Sequence, residues 1–467
     1  MVYPYLSGPR RRNRRRIWML LLATAAVIPL LRYWPRGPEP LPQDPYVQVF
    51  FNHAPGQRYR EPYREQRRPG YDLEQLLIDE ISRARVSVDV AVQELNLPRV
   101  AQALIRQAEA GVAVRVILEN SYSQPWSQQR PGNLDSHRRS KFEDLWAFSD
   151  LDHSGSVDAA EASRRDAVLM LQQAGIPLLD DTADGSKGSG LMHHKFIVVD
   201  GQRLVTGSAN FTLSGIHGDW LNPESRGNAN VLLRILSSEL ARAYQAEFEL
   251  LWGDGPGGAP DSRFGIAKPL RPAVAVSLPG SQLQAQFSPH RRAIPWGQTT
   301  GGLITQTLGQ ARRSVDLALF VFSEQAIADR LGELPGVRVR ALVDRSFIYR
   351  SYSEALDLLG VALPDRRCRY EDNNRPWATP ALEVGYPQLA QGDKLHHKFA
   401  LIDEHTVIVG SHNWSSAASH TNDENLLVIT NPTVARHFRQ EFERLRDLAQ
   451  TGHTELLSQK LGRGCSP

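Results

Sequence analysis

A chain of 467 residues is too long for one ordinary hydrophobic core, so two domains or two fused halves are expected. Its composition is that of a globular protein, and its two cysteines, Cys368 and Cys465, form no disulfide framework and sit in no nucleophile motif. Residues 1–36 hold eight arginines and no acid or lysine, so the net charge of +3 becomes +3 − 8 = −5 for the rest, which is not the profile of a generic nucleic-acid binder.

The chain opens with Arg10, Arg11, Arg12, Arg14, Arg15 and Arg16, followed by the uncharged run IWMLLLATAAVIPLL. This reads as a transmembrane signal anchor over 1–36 with a cytoplasmic N-terminus and an extracytoplasmic remainder. The alternative is a secretory signal cleaved near Ala23-Thr24-Ala25. A Pro-rich linker at 37–46 follows, stiff and extended.

From 47 the pattern repeats itself. VQVFFN, DLEQLLIDEISRAR, VSVDVAVQEL, LPRVAQALIRQAEAG and VAVRVILEN alternate strand, helix, strand, helix, strand. From 283, LQAQF, GGLITQTLGQARR, SVDLALFVF, SEQAIADRLGEL and VRVRALVD run through the same order. Strands alternating with helices predict an α/β architecture, with one half at 47–252, a Gly/Pro-rich linker at 253–282, a second half at 283–450 and a tail at 451–467.

Offsets between the halves locate an insertion. Asp89 aligns with Asp316, 227 positions on, but His193 aligns with His396, only 203 on, so the first half carries 227 − 203 = 24 extra residues. Within them DLDHSGSVDAAE (150–161) resembles the twelve-residue EF-hand loop, in an insertion of about 135–165. That resemblance implies Ca²⁺ held by Asp150, Asp152, Ser154, the Ser156 carbonyl, Asp158 and Glu161, with Gly155 at the sharp turn.

The most informative segments are LMHHKFIVVD (191–200) and KLHHKFALID (394–403). On a strand, His193 and Lys195 share one face, and likewise His396 and Lys398, while His194 and His397 face the other way and read as structural. Asp200 and Asp403 fall at odd spacing from His193 and His396, so parity has them brace the loop rather than touch substrate. GSAN (207–210) and GSHN (410–413) then offer Ser208, Asn210, Ser411 and Asn413, a hydroxyl and an amide from each half where an anion fits.

Both sites match H-x-K-x4-D-x6-G-S-x-N without a gap, and on this duplicated HKD motif the chain resembles the phospholipase D superfamily over most of 47–450. The resemblance implies two β/α sandwich halves about a pseudo-twofold axis, both motifs in one cleft of a single, monomeric chain, and His193, Lys195, Asp200, His396, Lys398 and Asp403 as the catalytic set. One histidine would attack phosphorus to give a phosphohistidine while the other protonates the leaving alcohol. The lysines and asparagines would neutralise the non-bridging oxygens, so no catalytic cofactor is expected.

HTNDENLLVI after the second motif places Glu424 where the family has an acid able to orient an imidazole. The first half reads GNANVLLRI, which puts Ala229 at that position and leaves Asp219 or Glu224 as candidate substitutes and the roles of His193 and His396 open. The anchor and the acidic body favour phospholipid hydrolysis at a membrane; the alternative is an endonuclease acting on DNA.

Overall fold

The structure, a computed structural model, describes Met1, Pro4, residues 39–186 and residues 190–462. The expected N-terminal anchor lies outside the described residues, and among the described residues no helix is long and apolar enough to cross a membrane. Two compact units are formed, Met1–Pro40 and Leu41–Pro467, and both repeated halves fall in the second.

The first half contributes β1 (Val47–Phe51), β2 (Arg58–Arg60), β3 (Arg67–Pro69), β4 (Ser87–Val92), β5 (Ala113–Leu118), β6 (Leu178–Asp180), β7 (Lys195–Val199), β8 (Arg203–Gly207) and β9 (Val231–Leu236). Apart from the β2–β3 hairpin they form one sheet in the order β1-β9-β8-β7-β4-β5-β6. The second half contributes β10 (Val274–Leu278), β11 (Ser281–Ser288), β12 (Ser314–Leu319), β13 (Phe322–Ser323), β14 (Arg338–Val343), β15 (Val384–Pro387), β16 (Lys398–Ile402), β17 (Thr406–Gly410), β18 (Trp414–Ser415), β19 (Glu424–Thr430) and β20 (Ala449–Thr451). Its main sheet runs β10-β11-β19-β17-β16-β12-β14-β15-β20, and β13 pairs with β18. The stretch read as a linker therefore carries β10. The stretch read as a tail carries the helix Glu455–Gly462, whose Leu457 joins the second-half core.

Each half is a mixed α/β layer built on the same logic. β4 and β5, and likewise β12 and β14, are parallel and joined through the helices Pro98–Glu109 and Gln325–Gly332. Parallel strands need such a crossover, and the helix it supplies covers the sheet, which is why these strands are buried on both faces. An acid survives inside each because its ladder neighbour is an arginine: Asp89 lies opposite Arg115 and Asp316 opposite Arg340. The Arg340 guanidinium donates twice to Asp316, at 2.6 and 2.8 Å.

The closing helices Ser238–Trp252 and Pro432–Arg446 start at side-chain caps, Ser237 and Asn431, and lie between the two sheets. They complete one apolar core drawn from both halves, with Val47, Phe51, Phe196, Tyr244 and Phe248 beside Phe399, Phe438 and Phe442. Each half keeps a separate outer core under its crossover helices. Because the central core belongs to neither half alone, its packing fixes where the two HHK strands meet. Cys368 is disulfide-bonded, a role the sequence reading did not give it; Cys465 lies outside the described residues.

Candidate active site

β7 and β16 begin at the motif lysines, and the histidine segments just before them cross over to the opposite half. His193 N–H donates to the Asp423 carbonyl (2.9 Å) and His396 N–H to the Ala229 carbonyl (3.1 Å). These reciprocal bridges, Met192 with Asp423 and Leu395 with Ala229, bring both motifs to one seam. The motif glycines let the chains close there. A Cβ on Gly207 would lie 2.2 Å from the Val231 carbonyl oxygen, and one on Gly410 2.3 Å from that of Asn425.

Strand parity sorts the paired histidines. His194 and His397 turn inward, and their Nε2 atoms meet Glu247 (2.9 Å) and Glu441 (2.8 Å) on the closing helices. His193 and His396 face the cleft. Each lysine donates to the carbonyl of its own motif histidine at 2.8 Å, Lys195 to His193 and Lys398 to His396. Lys398 Nζ also stands 3.3 Å from His396 Nε2.

Asp200 and Asp403 sit at the far ends of β7 and β16, away from the cleft. Asp200 accepts from the amides of Arg85, Val86 and Ser87, and Asp403 from those of Arg312, Arg313 and Ser314. Both carboxyls are held below the usual range by these amide bonds against the opposing effect of burial. They brace the strand ends, and the catalytic label that the motif implies does not describe what they touch.

The two sites differ behind the imidazole. His193 Nδ1 meets Glu424 Oε2 at 2.6 Å, whereas His396 Nδ1 meets the amide oxygen of Asn230 at 3.0 Å. The counterpart of Glu424 is thus Asn230, one residue beyond the Ala229 that the sequence alignment chose. Ala229 instead matches Asp423, since both supply the bridging carbonyl. Glu224 is exposed, and neither it nor Asp219 replaces the acid. Ser208 Oγ donates to Asn230 Oδ1 (2.8 Å), while Ser411 Oγ accepts from the Asn425 amide (3.0 Å). These serines anchor the residues behind the histidines.

Two further residues went unnoticed in the sequence. Gln93 Oε1 accepts from Asn210 Nδ2 (3.2 Å) and Lys195 Nζ (3.4 Å). At the equivalent place, Phe320 lies 4.8 Å from the His396 ring and 5.2 Å from Lys398 Nζ. They are 227 positions apart, the same offset as Asp89 and Asp316, so the repeat itself held the signal.

Charge makes the cleft a receptor for anions. Burial first, then mutual repulsion among Lys195, Lys398 and the histidines, drives His193 and His396 well below their ordinary values. Burial pushes Lys195 down to about 7 and drives Lys398 well below its ordinary value, with Lys195 adding to the effect on Lys398. Glu424 is the acid at their centre, itself raised by burial. Among the described residues, the amide oxygens of Asn210 and Asn413 are buried without a hydrogen-bond partner. Four groups able to carry positive charge around one carboxylate favour a bound anion, which would restore the charge on the lysines.

A cleft of about 480 Å³ runs from Asn210, Asn230, Phe320 and His396 to the inserted segment. There the helices Ser136–Ser149 and Ala159–Arg165 flank the 150–158 loop. Carboxylate oxygens of Asp150, Asp152 and Glu161 lie within 4.8 Å of one another. Asp158 is outside that cluster and caps the second helix through the Glu161 amide. Ser154 Oγ donates to the Ser156 carbonyl at 3.1 Å. The structure thus gathers three of the six expected ligands. Asp72, Glu74 and His217 form another compact group, but His217 Nε2 and the Tyr63 hydroxyl already engage the Glu74 carboxylate.

The fold and the paired motifs define a two-half phosphodiesterase, and comparison with known proteins agrees. The family model described as "Cardiolipin synthase, PLD-like domain" matches residues 77–252 and 304–446. The chain belongs to this phospholipase D-like family, and its relatives support a hydrolase of phosphodiester bonds. A mitochondrial cardiolipin hydrolase of Xenopus laevis is 31% identical over 186 residues, 38% of this chain and 77% of that protein. A phospholipase D of Rickettsia typhi is 26% identical over 181 residues, 36% of this chain and 76% of that protein. The crystal structure of a phosphatidylserine synthase from Haemophilus influenzae matches 91% of this chain and 93% of its own with a TM-score of 0.53, at 11% identity, a likeness of fold.

Proposed function

We propose that this protein hydrolyses a phospholipid phosphodiester in two steps, with His193 as nucleophile and His396 as general acid and base. The observation that carries the assignment is the contrast between Glu424 behind His193 and Asn230 behind His396. Bonding to phosphorus makes an imidazole cationic. The buried Glu424 carboxylate accepts a hydrogen bond from Nδ1–H, leaves Nε2 free to attack, and offsets the charge that then develops. Asn230 offers a neutral acceptor, so His396 gives up its proton more readily.

In the first step His193 Nε2 bonds to phosphorus, the bond to the head-group oxygen breaks, and His396, protonated once the anionic phosphodiester is bound beside it, supplies that oxygen's proton. In the second, His396 takes a proton from water, the resulting hydroxide attacks phosphorus, and the P–N bond breaks. Lys195, Lys398, Asn210 and Asn413 hold the non-bridging oxygens throughout. The lysines supply the charge that a catalytic metal would otherwise bring. The activity of the phospholipid-acting relatives supports a lipid over DNA. So does the expected N-terminal anchor, whose short linker would hold the cleft near a bilayer outside the cytoplasm. The 150–161 loop would bind Ca²⁺ through Asp150, Asp152 and Glu161 as a structural or regulatory site.

Bis(p-nitrophenyl) phosphate tests the assignment, because nitrophenolate leaves without protonation. His396→Asn should retain a nitrophenolate burst and a trapped covalent adduct, and His193→Asn should show neither. A burst confined to His193→Asn would reverse the roles.

A further inference from the structure

The insertion helix Ser136–Ser149 and the loop 218–226 have no counterpart in the second half, yet together they wall the catalytic cleft beside His396. Asp144 Oδ1 accepts from the Leu221 amide at 2.8 Å, which fastens the loop to the helix. The loop is fixed to the second half as well, by the Ser225 hydroxyl and the Arg226 and Gly227 amides donating to Asp393. This lobe is therefore a built part of the cleft.

Its charge is one-sided. The carboxylates lining it are Glu94, Glu143, Asp144 and Asp219, and the ammonium groups are Lys141 and Lys394. Lys141 and Glu94 neutralise each other at 2.5 Å. Lys394 donates to Ser346 Oγ at 3.2 Å and faces Glu143, Asp144 and Asp219 from the cleft lining, while Arg64, outside that lining, donates to the Asp219 carbonyl at 2.6 Å. Among the described residues no hydrogen bond reaches the Asp219 carboxylate, which lies against Gly392 at the lobe wall. Burial, then the nearby Asp144, raises Asp219 against the opposing effect of Lys141, Lys394 and Arg64, and burial pushes Asp393 up to about 6.

We propose that this lobe is the leaving-group subsite, and that Asp144 and Asp219 select a cationic amino-alcohol leaving group over an anionic one. The inference rests on the reading that His396 protonates the leaving group, because the lobe adjoins His396. An amino alcohol such as choline or ethanolamine brings its positive charge to the two carboxylates as the P–O bond breaks. Phosphatidylglycerol leaving from cardiolipin, or the next nucleotide of a DNA strand, would bring a phosphate against them.

The full chain in mixed micelles is compared on phosphatidylcholine, phosphatidylethanolamine, phosphatidylglycerol and cardiolipin, for wild type, Asp144→Asn and Asp219→Asn. Asparagine at 144 keeps an acceptor for the Leu221 amide. Wild type should have a higher kcat/KM for the two amino-alcohol lipids than for cardiolipin. Each variant should lower the phosphatidylcholine-to-phosphatidylglycerol ratio roughly fivefold, the effect of one carboxylate a few ångströms away in a solvated cleft. Lipid hydrolysis with a cardiolipin preference, or with a ratio that neither variant moves, overturns this proposal and leaves the lipid reading intact. Cleavage of DNA with every lipid untouched overturns both.

Discussion

Replacing Glu424 with glutamine removes one charge from behind the proposed nucleophile and keeps the side chain's size. Glu424 Oε2 stands 2.6 Å from His193 Nδ1, and both side chains are buried. A hydrogen bond of this charged kind contributes about 1.5–3 kcal/mol, and each 1.36 kcal/mol is tenfold in rate. Glu424→Gln should therefore slow phosphorus attack by roughly 10- to 100-fold. An amide NH2 turned towards Nδ1 would slow it further by moving the imidazole proton to Nε2. Asn230→Ala takes a neutral acceptor from His396 and should slow the same step less than about tenfold. Rapid-quench measurement of the nitrophenolate burst reads this step directly. A Glu424→Gln burst within twofold of wild type, or an Asn230→Ala burst slower than that of Glu424→Gln, would refute the argument.

Asp316→Ala takes two hydrogen bonds from the Arg340 guanidinium, 5% exposed, and leaves it one, to Glu443 at 3.0 Å, which should cost about 3 kcal/mol in urea unfolding. Asp89→Ala should cost less, because Arg115 is 23% exposed and keeps two hydrogen bonds to Glu249 where Arg340 keeps one to Glu443; equal losses would count against burial as the cause. Burial, then Asp357, pushes Glu354 up to about 8. A carboxyl raised on folding contributes stability that is full below its unfolded value and fades as pH rises through the folded one. Glu354→Gln should therefore lose less stability than wild type between pH 5 and pH 9, and parallel pH profiles would contradict this. Titration with Ca²⁺ should release heat for wild type and none for Glu161→Ala; no heat in either would return the 150–161 loop to a capped acidic turn.

Much of the site was legible because the chain states it twice. Duplication exposed the β/α order, the 24-residue surplus and both HHK strands, and period-two parity separated His193 from His194 without coordinates. The rest depends on contacts between distant segments. One-dimensional alignment slipped by a residue at Ala229, because only the bridge to Leu395 fixes the register there. The roles of Gln93 and Phe320 needed the lysines and His396 beside them.

The sequence by itself determined the chemistry on offer: two histidines and two lysines whose strand alternation aims them to one side, and two asparagines just past the strands that follow. Tertiary structure decided which acid backs which histidine, since Glu424 and His193 are 231 positions apart and meet only where the two halves share a core. It also decided that the inserted helix walls the cleft, a placement that no local periodicity encodes.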